Sequence, residues 1–529
     1  MLPFHAQKSE TPSWHRQICK NGNDTDMVKS METYNYSKKP VPRITVAGLR
    51  GGSGKTILTL GLIHALFRKG VAVQPFKKGP DYIDAEWMAS AAGRQCYNLD
   101  QFLMTPKGII QSFTYRSRGA ELAVIEGNRG IFDGMDVEGS CSTAELAKLL
   151  GSPVILVVDV TKTTRTAAAL VLGCKAMDQD LRIEGIVINR VGGKRHRRIV
   201  TESIEKVTDI PVLGAIPRLK QDPLPMRHLG LTPTFEMQKA KKVLSSLASL
   251  VEENVDIEKI RDIASRNIRG IEGGSSIDGS QRDLEVEASV PTIFQLKPVP
   301  DAENIRIGIL RDQAFQFYYP ENIEALERAG ARIIFMDSIR DTKVPVIHAL
   351  YFGGGFPETQ GRKLEANHEF RAQLSSLIEA GLPVYAECGG LMYLGRSVKW
   401  KGGNFSMLGV LDWDFIVKEK PVGHGYSIIE VMDHNPFFPT GKRIKGHEFH
   451  YSIPVPAADG NQTAKSGTLS CRVVRGHGFT DKKEGITRKN IFGTYTHIHA
   501  MERPDWAESL VSAAIDFKRN HLDKKNGSE

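Results

Sequence analysis

Cysteine is scarce and scattered in this 529-residue chain: Cys19, Cys96, Cys141, Cys174, Cys388 and Cys471 form neither a CxxC pair nor a cluster. That spacing excludes a disulfide framework and a sulfur-ligated zinc site, and predicts reduced thiols. Long apolar runs are missing too. No stretch approaches the ~20 residues that a bilayer-spanning helix needs, and the opening MLPFHAQKSETPSWHRQ lacks the basic, apolar, small-residue order of a secretory signal. A cytoplasmic protein without a membrane partner is the expectation. Excess charge of one sign is also modest, at +9 over the whole chain, which solvated lysines account for and which gives no reason to expect nucleic acid as a partner. What is plentiful is apolar residue, 41%, enough at this length for two or three cores.

Residues 1–40 are polar and aperiodic and read as a disordered extension. From Arg43 short apolar strands alternate with helical stretches: RITVAG, TILTLGLIHALFRKG, VAVQPF, ELAVIEG, PVILVVDV, IEGIVINRV, PVLGAIP. This is the pattern of a mostly parallel sheet with helices on both faces. A helical segment from about Phe235 to Arg266 closes this first domain, 41–266, and a Gly/Ser/acidic linker, 267–303, follows. A second α/β unit, 304–520, starts at IRIGILRD, reaches PVYAEC and then turns strand-rich, leaving 521–529 as a polar tail.

In the first domain, RITVAG runs into GLRGGSGKT and then KTILTLGLIHALF, the strand, glycine turn and helix of a phosphate loop. Backbone N–H groups of Gly51, Gly52, Ser53 and Gly54 are placed to surround ATP phosphates, Lys55 to neutralise them and Thr56 to ligate Mg2+. Gly48 and Gly54 have five residues between them, one more than in the common pattern. Two acidic motifs close the next core strands, FKKGPDYIDAEWM and VIEGNRGIFDG. Asp81 and Glu126 are the candidate metal ligands, since hard oxygens beside phosphate suit magnesium and ligands collect at the carboxyl ends of strands. Tyr82 and Asp84 of the first motif are candidate substrate contacts. The basic run Lys194, Arg195, Arg197, Arg198 follows a strand and is either a receiver for an anionic substrate or a solvated surface loop.

In the second domain, VYAECGGLMYL puts Cys388 between a buried strand and a helix start. A turn of that kind is expected to lower a thiol's pKa and expose a nucleophile. The N–H groups of Gly389 and Gly390, with the turn Gly353, Gly354 and Gly355, are candidates for an oxyanion hole. The base such a thiol needs is to be sought in TYTHIHA, which offers His497 and His499; His424, His447 and His450 compete by residue type alone.

Taken in order, GPDYID, NLD, EGNRGIFDG, STAELAKLLGSPVILVVD, INR, LPMRHLGL, AFQFYYPEN, GGGFPE, ECGGLMYL, GHGYS and GHEFHYS resemble the cobyrinic acid a,c-diamide synthase family over about Ile44 to Asp516. The resemblance implies a dethiobiotin-synthetase-like nucleotide domain joined to a class I glutamine amidotransferase domain. It implies His497 as the base, with His499 standing where many class I amidotransferases carry an acidic third member, so that an acid-free Cys and His pair is expected. It also implies that Asn189 reads the adenine edge, although an Asn capping a turn at a strand end would look the same. Two departures bear on the substrate: Ala85 and Met88 stand where the family often has Pro and His, and the linker is long.

The activity the resemblance implies is ATP- and Mg2+-dependent amidation of the a and c side-chain carboxylates of a polycarboxylate tetrapyrrole, cobyrinic acid, with ammonia from glutamine, the ammonia moving through a shielded passage between the domains. Lys77, Lys78 and the basic run would then face a polyanion. Three alternatives stay open: a sirohydrochlorin derivative or siroheme as acceptor, cobyric acid synthase, and a non-catalytic nucleotide switch. Cobyric acid synthases carry an Asn-Met-Ser type sequence where this chain has GPDYID, and an intact Cys388 and His497 argue against a switch. The oligomeric state is open, a homodimer being one possibility.

Overall fold

The computed structural model describes residues 40–221, 223–224, 226–227, 230–231, 240–266, 293–456 and 465–526. The N-terminal extension and most of the linker lie outside them. In the first domain seven strands form one all-parallel sheet in the order β3-β2-β4-β1-β5-β6-β7, where β1 is Arg43–Gly48, β2 Val73–Lys78, β3 Tyr97–Leu99, β4 Leu122–Glu126, β5 Val154–Asp159, β6 Ile183–Val191 and β7 Val212–Pro217. β1, β2 and β4 are buried at every position, so their polar residues, Thr45, Gln74, Lys77 and Glu126 among them, are buried together with the apolar ones and no alternation results. The chain leaves β1 for β2 on one side and reaches β5 on the other. The crevice beside the carboxyl end of β1 is therefore the switch point where such sheets bind ligands.

The helices have local causes. Thr105 and Ser142 cap Pro106–Arg116 and Thr143–Leu149 by accepting from Gly108 N and Glu145 N. The basic run is no loop: it is the first turn of the helix Lys194–Thr208, whose Val200, Ile204 and Thr208 recur every four residues and are buried. The segment expected as one helix from Phe235 is two among the described residues, Ala240–Asn254 and Ile257–Arg266.

The second domain carries a nine-stranded sheet. Its parallel half runs Arg332–Met336, Arg306–Leu310, Ala349–Phe352, Val384–Glu387, Ile491–Thr494, and its antiparallel half continues through Lys483–Arg488, Thr468–Arg475, Gly423–Val431 and Arg443–His450. The last strand returns to the middle: His447 and His497 exchange both backbone hydrogen bonds, 3.0 and 2.8 Å. The closing helix, Asp505–Asn526, runs past residue 520 into the stretch expected as a tail.

One buried cluster spans both domains, beside others that stay within one. Phe76, Leu99 and Phe113 belong to the same buried cluster as Ile307, Tyr351 and Trp506, and Ile293 and Ala302, from the range expected as linker, are buried within it. Polar contacts cross the same boundary. Arg116 pairs with Glu324, Tyr97 donates to Glu324 at 3.0 Å, and Tyr426 donates to Asp100 at 2.7 Å.

Candidate active site

The phosphate loop is held in shape by its neighbours. Gly54 has φ 97°, and a Cβ there would lie 2.0 Å from Asn189 Nδ2, so glycine alone lets Asn189 donate to Ser53 O at 2.8 Å. Asn189 Oδ1 accepts from Arg190 N at 2.8 Å. By these two bonds Asn189 braces the loop. Gly51 and Gly52 form the exposed crest, while Ser53 is buried and donates to Arg50 O at 2.8 Å. Lys55 Nζ donates to Arg50 O at 3.2 Å and to Arg129 O at 2.7 Å, leaving a third N–H for phosphate. Burial first, and the Lys77 charge after it, push the Lys55 pKa down.

Behind the loop sits a buried cluster of charge. Glu126 Oε1 accepts from Thr56 Oγ1 and Lys77 Nζ, each at 2.9 Å, and Lys77 also pairs with Asp84 at 2.9 Å. Burial works against the Lys77 ammonium, but Asp84 and Glu126 outweigh it and hold its pKa above the ordinary lysine value. Asp81 caps the helix Tyr82–Ala92 by accepting from Asp84 N at 2.9 Å. Its pKa is raised, by burial and then by the Asp84 charge. Glu126 Oε2 is buried with no hydrogen-bond partner among the described residues.

Cys388 ends the strand Val384–Glu387 with φ 45° and ψ −100°, outside the regions that L-residues favour. Its N–H donates to Thr494 O at 2.7 Å, pinning the turn to the neighbouring strand. The thiol is not acidic at rest, contrary to the expectation from the turn. Burial, with the Glu358 carboxylate behind it, pushes its pKa up, and the Gly389 N–H offsets only part of this. The helix that follows has six residues and its first turn is buried, so desolvation outweighs the dipole. Thiolate has to form by handing the proton to a base. Gly390 N–H is spent on Gly353 O at 3.1 Å, whereas a Cβ on Gly389 would lie 2.9 Å from Gly355 N. The N–H groups close to one another at this turn are thus those of Gly389, which reaches the sulfur, and Gly355.

His497 approaches the same turn: a Cβ on Gly354 would meet its Cε1 at 2.6 Å and Nε2 at 3.3 Å. His499 points elsewhere, with Nε2 3.7 Å from the buried Glu321. Burial, and next the Arg116 charge, lower the His499 pKa to about 3. His447 stacks on His497 with centroids 4.9 Å apart, and His450 stacks on Tyr495.

Tyr82 crosses from the nucleotide domain into this group. Its ring lies 5.3 Å from Phe317, 4.5 Å from Tyr319 and 5.5 Å from His497. Beside it a cavity of about 500 Å³ is lined by Cys388, His497 and Glu358 on one side and by Lys78, Asn128 and Arg129 on the other. Lys194, Arg195, Arg197 and Arg198 do not line it. Arg129 and Asn128 lie inside a motif already noted, EGNRGIFDG, but nothing in their spacing singles them out. Arg475, also in the lining, carries no sequence signal at all. No helix among the described residues is long and apolar enough to cross a membrane.

Residues 44–230 match the CobQ/CobB/MinD/ParA nucleotide binding domain and residues 306–505 the CobB/CobQ-like glutamine amidotransferase domain. The cobyrinate a,c-diamide synthase of Magnetococcus marinus is 38% identical over 89% of this chain and 97% of its own length. That of Archaeoglobus fulgidus is 37% identical over 90% and 98%, and that of Methanosarcina acetivorans 34% over 90% and 96%. A solved chloroplast FtsY from Physcomitrella patens covers 44% of this chain and 80% of its own at 14% identity and a TM-score of 0.26, a likeness too slight to bear on the fold. With both domains matched and relatives of this identity aligned over nearly their whole length, the chain belongs to the cobyrinate a,c-diamide synthase family, whose members are glutamine-hydrolysing amide ligases.

Proposed function

We propose that the chain amidates the a and c side-chain carboxylates of cobyrinate, with ammonia taken from glutamine and at the expense of ATP. The observation that carries this reading is the single cavity that Cys388 and His497 share with Lys78, Asn128 and Arg129 of the nucleotide domain. Ammonia released at the sulfur enters the space that the ligase residues face, and the passage between domains is this cavity.

The chemistry balances in two halves. His497 takes the Cys388 proton, the sulfur attacks the glutamine γ-carbonyl, and the N–H groups of Gly389 and Gly355 receive the developing oxyanion. Ammonia leaves with the proton that His497 returns, and water then hydrolyses the thioester to glutamate. In the other half, an acceptor carboxylate attacks the ATP γ-phosphorus, giving ADP and an acyl phosphate, with Lys55 offsetting the charge of the transferring group. Ammonia adds to the acyl carbon and phosphate leaves. Mg2+ would be held by Thr56 and Glu126, whose unpartnered buried Oε2 is the kind of oxygen that ion takes, and when bound it neutralises phosphate charge. Asp81 stands in the same carboxylate group, with one oxygen committed to its helix cap.

Incubation of the protein with ATP, Mg2+, glutamine and cobyrinic acid, followed by mass spectrometry, should show two successive carboxylate-to-amide conversions. Amidation of sirohydrochlorin with none of cobyrinic acid would overturn the substrate assignment.

Acceptor binding is expected to depend on cations of the cavity wall more than on the exposed helix start. Arg129→Ala should raise the tetrapyrrole KM about tenfold, the size of one charge-assisted hydrogen bond, whereas the double change Arg197→Ala, Arg198→Ala should leave it within about twofold, the scale of exposed charges. Steady-state kinetics at two salt concentrations checks both, because screening should weaken the native affinity more than that of Arg129→Ala.

A further inference from the structure

A general base in a Cys and His pair works through one ring nitrogen, and the other has to be fixed by an acceptor if the correct tautomer is to face the sulfur. In this chain the position two residues after the base is His499, which carries no carboxylate: its Nδ1 accepts from Met501 N at 3.2 Å and its Nε2 faces Glu321. The acceptor comes from another place. Glu387, the residue before the nucleophile, is fully buried, and its Oε2 lies 3.4 Å from His497 Nδ1. Nδ1 has no hydrogen-bond partner among the described residues. The Cε1 to Nε2 edge of the ring faces Gly354, beside the Cys388 turn, so the two nitrogens are divided between the carboxylate and the reacting side.

The carboxylate is itself held. Tyr351 OH donates to Oε2 at 3.1 Å, Ile498 N donates to Oε1 at 3.1 Å, and Asn322 Nδ2 donates to Tyr351 OH at 3.0 Å. These donors come from a strand, the histidine loop and a helix, and all are buried, so the oxygen facing the imidazole has little freedom to turn away. His447 and Tyr82 pack on the ring of His497 at centroid distances of 4.9 and 5.5 Å and supply no second carboxylate.

We propose that Glu387 is the positioning acid of the glutaminase, holding Nδ1–H of His497 so that Nε2 faces Cys388. The third member of the triad thus comes from the nucleophile's own strand and not from the histidine loop. This inference rests on the assignment of Cys388 and His497 above. It is a positioning role, since Glu387 does not touch the reacting atoms.

Glu387→Gln puts an amide where the acceptor is needed and should lower the glutaminase kcat by roughly 10³- to 10⁴-fold, the cost of the wrong tautomer, with glutamine KM little changed. Amidation from high ammonium should persist, which also reports that the variant is folded. Glu387→Asp, which keeps the charge but shortens the reach, should recover part of the lost kcat. On the unaltered protein, 15N-detected NMR should show His497 protonated at Nδ1 with a strongly downfield N–H that disappears in His497→Ala; this measurement needs no Glu387 variant to fold. A glutaminase kcat within tenfold of native in Glu387→Gln, or His497 protonated at Nε2 in the native enzyme, would overturn the proposal. Cys388→Ser run alongside separates the failures: if it retains glutaminase, the underlying assignment is wrong, and if it is inactive while Glu387→Gln is not, only the inference about Glu387 falls.

Discussion

Cys388→Ser is expected to abolish amidation with glutamine as nitrogen donor and to leave amidation from high ammonium nearly intact. The loss should be on the order of 10³-fold or more, as when the nucleophile of a covalent mechanism is removed. Serine preserves the size of the side chain at a position with φ 45°, and the main-chain bond from residue 388 to Thr494 O does not depend on the sulfur, so the turn should survive the change. What disappears is the thiol as a nucleophile. Burial raises the thiol's pKa, so a base is needed to draw off its proton, and His497→Ala should show the same division between nitrogen donors. Equal loss with glutamine and with ammonium would remove the assignment of Cys388 to ammonia release.

Lys55→Ala is expected to do the reverse. Amidation should fall by on the order of 10²- to 10³-fold with either nitrogen source, about 3–4 kcal/mol of transition-state stabilisation for one charge-bearing donor in a preorganised site. Glutamine hydrolysis should continue, since Lys55 belongs to the phosphate loop and does not line the cavity at Cys388. Its buried ammonium, with a depressed pKa and two carbonyl partners, is poised to gain from an arriving phosphate. The two activities assayed on one preparation decide the matter: amidation that survives Lys55→Ala would refute the nucleotide site.

Much of this was legible in the chain. β1 and β4 read as strands because their short, β-branched, mostly apolar runs alternate with helical stretches, and a glycine turn between such a strand and a helix has few other uses. Cys388 stood out for the same reason. The roles that escaped depend on what the folded chain brings together. Lys77 looks like one of a surface lysine pair, yet it is buried between Asp84 and Glu126, carboxylates 7 and 49 residues away, and no local pattern encodes that. Glu387 is one more strand residue until the loop carrying His497 is laid beside it. The basic run was open between a substrate receiver and a loop because its charges hide the four-residue spacing of Val200, Ile204 and Thr208 that makes it a helix. The thiol's acidity is illegible in the sequence because helix polarity can be seen there, whereas the depth of burial cannot.

The apolar cluster that joins Phe76 and Phe113 to Ile307 and Trp506 has a consequence for how the molecule comes apart. Separating the halves exposes surface that each buries on the other, so the shared cluster couples their unfolding although their sheets are separate. A ligand gripped by the phosphate loop then lends its binding free energy to the thiol-bearing half as well, about 2.7 kcal/mol at a hundredfold excess over Kd. To the extent of that coupling, the half that liberates ammonia is expected to resist unfolding best when nucleotide is present to make use of it, which melting curves with and without nucleotide would show.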